Sequence, residues 1–157
     1  MKEDGWALNS SKMPISVDTM HEHSLSSLLT VPASDRPTAA LIDLDALTHN
    51  FREVHRRAQR RKILAVVKAQ AYGHGAVRIA KHLLGLGADI LGVALLEEGR
   101  ELREAGIDAP ILVMGAVVPS QAKALVGLRL TPVVYTPAVA RALSNAAIAL
   151  KTQIPVH

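Results

Sequence analysis

The sequence predicts an α/β protein built on a parallel sheet. Three observations point there. Short, nearly continuous apolar runs recur along the chain, as in strands buried on both faces. Segments with apolar residues at helical spacing separate them. One run plus one segment takes about 20 to 30 residues, the length of a strand–helix crossover. Such runs imply a parallel sheet with cover on both faces.

The elements follow in order. Residues 1–36 are rich in Ser, Asp, Met and Pro without a sustained period, so a mobile leader is expected, with a short helix at Met20 to Leu29. Its "HEH" (His21, His23) lacks the second helical turn of an H-E-x-x-H metal site, and a solvated tail explains it better. From residue 37 the chain becomes periodic. Ala39 to Leu44 reads as a strand. Asp45 then caps a helix whose apolar face is Leu47, Phe51, Val54 and Ala58. Arg56, Arg57, Arg60 and Arg61 crowd its C-terminal end, where the helix dipole favours cations.

Four strand–helix units come next. "KILAVVKA" is a strand, and "GAVRIAKHLLGLG" is a helix with Ala76, Ile79, Ala80 and Leu83 on one face. "ADILGVALL" is a strand and "EEGRELREAG" a helix ending at Gly106. "APILVMGAV" is a strand, and "PSQAKALVGL" a helix capped by Ser120. "LTPVVY" is a strand, and "TPAVARALSNAAIAL" a helix with Thr136 as N-cap and Pro137 at its first position. "TQIPVH" opens a fifth strand. Either a doubly wound open sheet or a (β/α)8 barrel accommodates this order, and periodicity does not choose between them. "GLGADI" carries Ile90 where a dinucleotide fingerprint needs its third glycine, and it ends a helix instead of opening one.

Composition narrows the function classes. The 157 residues suit one domain, 49% of them are hydrophobic and only 3% aromatic, so the core is aliphatic. With no cysteine, disulfide scaffolds and thiolate metal sites are excluded, which fits a reducing cytoplasm. The net charge of +4 is mild. The basic stretch "HRRAQRRK" has no interleaved aromatics, so a solvated helix end is expected over a nucleic-acid site. No apolar run reaches the ~18 residues of a membrane span, and no secretory signal is evident.

One stretch carries chemistry: "VVKAQAYGHG", Val66 to Gly75. In parallel α/β folds, chemistry sits at the C-terminal ends of strands, and Lys68 lies at such an end. A lysine backed by apolar residues would be partly desolvated, which disfavours the ammonium and makes the amine nucleophilic toward carbonyls, including the aldehyde of pyridoxal phosphate. The plain alternative is a lysine that snorkels out of the strand end. Gly73 and Gly75 allow a tight turn off the strand. His74 between them reads as a local structural residue or an exposed loop histidine. Met114 ends a strand.

The stretch resembles the cofactor-lysine motif of the alanine racemases, which reads "VVKANAYGHG" or close to it. "RPTAALIDLDALTHNFR" and "ADILGVALLEEGRELREAGIDAPILVMGA" are similar to other segments of that family. The resemblance implies a partial (β/α)8 TIM-type barrel over residues 37–157, with about four strand–helix units and the start of a fifth strand. It implies pyridoxal 5'-phosphate as cofactor, alanine as substrate, a cytoplasmic homodimer and D-alanine supply for the cell wall. Lys68 matches the lysine that bonds to the cofactor and serves as base on one face of the substrate α-carbon. Tyr72 matches the tyrosine that contacts the cofactor phosphate. In the family, a tyrosine from a partner subunit's C-terminal β-domain serves the other face. Met114 then lies beside the cofactor ring or is plain core. Gln70 stands where the family usually has Asn or Asp. No metal, membrane or nucleic acid is implied.

The family's next motif would follow "IPVH", so the sequence is expected to be a truncated N-terminal part without the β-domain. Alone it is expected to be inactive and to aggregate through open edges and an open interior. Two relatives of this reading stay open: a non-catalytic pyridoxal-phosphate-binding barrel, and a racemase of another amino acid such as serine.

Overall fold

A computed structural model describes residues 40–157. The leader expected over 1–36, its helix and the His21–His23 pair lie outside the described residues. The elements are α1 (Leu44–Ala58), β1 (Leu64–Val66), α2 (Lys68–Gly73), α3 (Ala76–Gly85), β2 (Ile90–Val93), α4 (Leu96–Glu104), β3 (Ile111–Val113), α5 (Ala122–Gly127), β4 (Thr131–Pro132) and α6 (Pro137–Ala149). A 3-10 turn, Pro119–Gln121, leads into α5.

The four strands are parallel and lie in the order β1-β2-β3-β4. That order settles what periodicity left open. A doubly wound sheet reverses direction at a switch point, whereas a barrel sheet is wound one way throughout. The winding continues at the C-terminus: the His157 amide donates to Pro132 O, and the Val134 amide donates to His157 O, both at 2.9 Å. His157 thus adds to the edge of β4 as the start of a fifth parallel strand. The sheet is an arc and does not close on itself.

Right-handed crossovers in a singly wound sheet put all their helices on one face. Of the two covers that the apolar strands call for, the helices therefore supply one. Toward the helices point Ala65, Leu91, Val93, Ile111, Val113 and Pro132, all buried. They meet the predicted α3 face (Ala76, Ile79, Ala80, Leu83), all four residues buried, together with Leu102, Leu125 and Leu143. Burying each large side chain contributes about 1.5–3 kcal/mol. Packing is close where α4 crosses Leu130: a Cβ on Gly99 would stand 2.9 Å from Leu130 Cδ1.

Arg103 fastens one end of the sheet. Its guanidinium donates to the carbonyls of Ile107 (2.6 Å), Ala109 (2.8 Å), Leu128 (2.9 Å) and Arg129 (3.0 Å). It joins the end of α4 to the loops entering β3 and β4. Burial, and then the neighbouring Arg129 charge, lower its pKa, but an arginine remains charged regardless. Between α1 and α3, Thr48 Oγ1 donates to Leu44 O, so His82 Nε2 must be the donor in its 2.7 Å contact with Thr48 Oγ1.

Several local expectations need correction. Ala40–Asp43 is not a strand, and Leu44 already belongs to α1. These residues pair with no strand among the described residues, and apolar alternation alone does not make a ladder. The cap of α1 is Asp43, not Asp45: its Oδ1 accepts from the amides of Asp45 and Ala46 at 2.9 Å. Asp45 sits in the first turn, where its charge suits the dipole. Val54 is exposed, while Phe51 is buried and Leu47 and Ala58 half-buried. Ser120 does not cap α5, because it falls inside the 3-10 turn, where Gln121 Oε1 accepts from the Val118 amide instead. The last helix agrees with expectation: Thr136 Oγ1 accepts from the Val139 amide, and Pro137 opens α6.

Candidate active site

β1 delivers Lys68 to its C-terminal end. The last ladder bond of this strand runs from the Val67 amide to Gly92 O at 2.8 Å. Immediately beyond it the backbone changes hand. Ala69, Gln70, Ala71 and Tyr72 all have φ of 50–56° and ψ of 37–51°, so α2 is one turn of left-handed helix. Gly73 and Gly75, with φ of 88° and 91°, lead out of it into α3.

Left-handed backbone costs roughly 1–2 kcal/mol per non-glycine residue, so four in succession cost on the order of 4–8 kcal/mol. Identifiable bonds offset this. The Ala71 amide donates to Val67 O (2.9 Å), and the Gly75 amide to Gln70 O (2.8 Å). His74 donates to Ala71 O through its amide (3.1 Å) and its ring Nδ1 (2.8 Å). That ring nitrogen carries the proton, because a carbonyl oxygen only accepts. Two carboxylates of α4 complete the set. Glu98 Oε1 accepts from the Ala69 amide, and Glu101 Oε2 accepts from Gln70 Nε2, both at 2.7 Å. Gln70 Oε1 also accepts from the Ala76 amide at 3.3 Å. Bonds to charged acceptors contribute about 1.5–3 kcal/mol each, enough to hold the turn. Backbone strain on this scale concentrates at functional sites.

Gln70, the departure from the usual family motif, is thus accommodated by a long side chain bridging Glu101 and the start of α3. His74 is exposed and serves the turn locally. Lys68 is half-buried, and its ammonium has no hydrogen-bond or ion-pair partner among the described residues. The Tyr72 side chain, one turn further on, is 61% exposed, and its hydroxyl likewise has no partner among them. A cleft of about 360 Å³ runs between the start of α1 and this turn. Tyr72, His74, Val66, Asp43 and Asn50 are among its lining, and Lys68 is not. Met114 lies across Gly92 from Leu64: a Cβ on Gly92 would meet Leu64 Cδ2 at 2.8 Å and the end of Met114 at 3.4 Å. It packs in the sheet's inner face.

A primary amine and a phenol, both without partners among the described residues, lie four residues apart on a braced turn at a strand end. That donor set fits a small aldehyde carrying a phosphate: the amine for the carbonyl carbon, the phenol O–H for a phosphate oxygen. Among the described residues no group of three or more His, Cys, Asp or Glu could hold a metal ion.

Known proteins share this frame. The family described as alanine racemase, N-terminal domain, matches residues 42–157. The chain belongs to that family. It is 43% identical over 122 residues to the alanine racemase of Carboxydothermus hydrogenoformans, covering 78% of this chain and 33% of the relative. It is 47% identical over 123 residues to that of Geobacter sulfurreducens, covering 78% and 32%. The solved alanine racemase of D-cycloserine-producing Streptomyces lavendulae superposes with a TM-score of 0.69 at 35% identity, over 73% of this chain and 30% of that one. A histidine racemase from Leuconostoc mesenteroides superposes at 0.66 with 27% identity, over 72% and 30%. The chain spans about a third of the length of the curated relatives it matches. The barrel-type fold and the racemase relationship expected from the sequence both hold.

Sequence reasoning missed Glu98 and Glu101. A signal for Glu98 was present: it stands three residues after Leu95, at the position where a glutamate side chain reaches back to the first amides of a helix.

Proposed function

We propose that the protein carrying this chain is an isomerase that interconverts L- and D-alanine with pyridoxal 5'-phosphate. The observation that carries the reading is the Lys68 amine at the end of β1, without a partner among the described residues, on a turn held in a conformation that costs free energy. Lys68 Nζ would hold the cofactor's aldehyde carbon, and the Tyr72 hydroxyl would donate to its phosphate. The bound cofactor supplies electron withdrawal that makes an amino acid's α-proton removable. The Lys68 amine would take or give that proton on one face of the α-carbon. Racemisation needs a second base opposite, which the family resemblance assigns to a tyrosine of a partner subunit in a homodimer. Among the described residues no helix is long and apolar enough to cross a membrane. The absence of cysteine accords with a cytoplasmic setting.

The test is borohydride reduction of the full-length protein with pyridoxal 5'-phosphate, followed by peptide mass mapping and an alanine racemisation assay. The expected outcome is a reduced cofactor on Lys68 and loss of turnover in Lys68→Ala. Labelling elsewhere, or undiminished turnover in the variant, overturns the reading. Cofactor on Lys68 without turnover of any amino acid supports a non-catalytic carrier. The likeness to a histidine racemase favours one second reading, a different amino-acid substrate. Faster turnover of histidine or serine than of alanine in the same assay supports it.

A further inference from the structure

The carboxylate of Glu98 does more than cap its own helix. Oε2 accepts from the amides of Ala94 (2.7 Å) and Leu95 (3.0 Å), where the chain leaves β2 for α4. Oε1 accepts from the Ala69 amide at 2.7 Å. That amide belongs to the peptide group joining Lys68 to Ala69. One side chain therefore ties the ends of two adjacent strands, and one of its three bonds falls on the peptide plane next to the lysine.

The placement matters because the β-ladder stops short of Lys68. Its last bond is made by the Val67 amide, after which the backbone turns left-handed and no strand neighbour holds it. Glu101, three residues on from Glu98 and so on the same side of α4, holds the following residue through Gln70. Helix α4 of the second unit thus offers two carboxylates to the lysine-bearing turn of the first. Carboxylates suit this task, since both oxygens only accept and can bind several N–H groups at once.

We propose that Glu98 is a positioning residue for Lys68, its carboxylate clamping the Lys68–Ala69 peptide to the start of α4 so that the lysine amine is presented in one orientation. The proposal rests on the reading of Lys68 as the cofactor lysine. The decisive variant is Glu98→Gln in the full-length protein with its cofactor. An amide would meet three N–H donors with one oxygen and one N–H₂ group, so at least one contact becomes donor against donor. Glu97→Gln, altering the exposed neighbouring glutamate, is the matched control.

Three readouts decide. Amide exchange at Ala69 is expected to quicken about tenfold in Glu98→Gln, with α6 amides unchanged. The absorbance of the lysine-bound cofactor is expected to titrate at a different pH. The kcat for alanine is expected to fall about 10- to 100-fold, the scale of a small misplacement of a reacting group, with KM changing less. Glu97→Gln should move none of these. Wild-type exchange, titration and kcat in Glu98→Gln overturn the proposal. Should that variant not fold, the wild-type protein still gives an answer. Ala69, Ala94 and Leu95 share one acceptor group and should be protected alike, and free exchange at Ala69 alone overturns the clamp. The exchange readouts stand apart from the functional reading, which fails separately if wild-type protein traps no cofactor on Lys68.

Discussion

The two faces of the sheet are built from the same strands and meet opposite surroundings. Toward the helices, Leu91 and Ile111 have no exposed surface, and Val93 and Val113 have 1%. One residue along, toward the inner face, Leu64, Leu112 and Met114 are only half-buried, and Val66 is exposed. Both sets are apolar. A continuous apolar strand therefore announces two covers without saying what they are. The helices are the first. In a closed barrel the second is the far side of the same sheet, and among the described residues that side is missing.

The difference yields a graded series, read by urea unfolding of the 157-residue chain. Leu91→Ala should cost most, about 2–5 kcal/mol, as for a leucine removed from a packed core. Arg103→Ala comes next, at about 2–3 kcal/mol, because four carbonyls lose a charged donor together. Leu112→Ala on the inner face should cost about 1 kcal/mol or less, since little packing is lost. Equal penalties for Leu91 and Leu112 would break the comparison and mean that the inner face is covered in solution, for instance by a second copy of the chain. Last comes Glu53 on the solvent side of α1. Arg56, and after it Arg57, hold its carboxyl below the usual glutamate range. A lowered carboxylate pKa adds stability above the unfolded-state value, and this is lost as pH falls through the folded one. The group is exposed and screened, so Glu53→Gln should leave the unfolding midpoint at neutral pH unchanged.

Long-period features were legible in the sequence. The four strand–helix units show because each strand is an unbroken apolar run, and the α3 face shows because Ala76, Ile79, Ala80 and Leu83 recur at helical spacing. The lysine was legible through its position after such a run and through the family motif around it. Strand order was not, since neither winding changes the local pattern. The cap was misplaced because "DLDAL" offers two aspartates, and only the entry angle of the chain selects Asp43. The left-handed turn was invisible for a stronger reason. Ala, Gln, Ala and Tyr have no intrinsic preference for that region, and its support comes from Glu98 and Glu101, about thirty residues downstream.

The sequential strand order has a bearing on synthesis at the ribosome. Leu64 pairs with Ile90, Leu91 with Ile111, and Leu112 with Thr131, so each strand closes onto its immediate predecessor. A nascent chain emerging N-terminus first would always find its docking edge already made. None of these four strands has to wait for one translated much later. In a closed barrel of this winding, a last strand would have to return to β1, and that single long-distance event is where a chaperone would have most to protect.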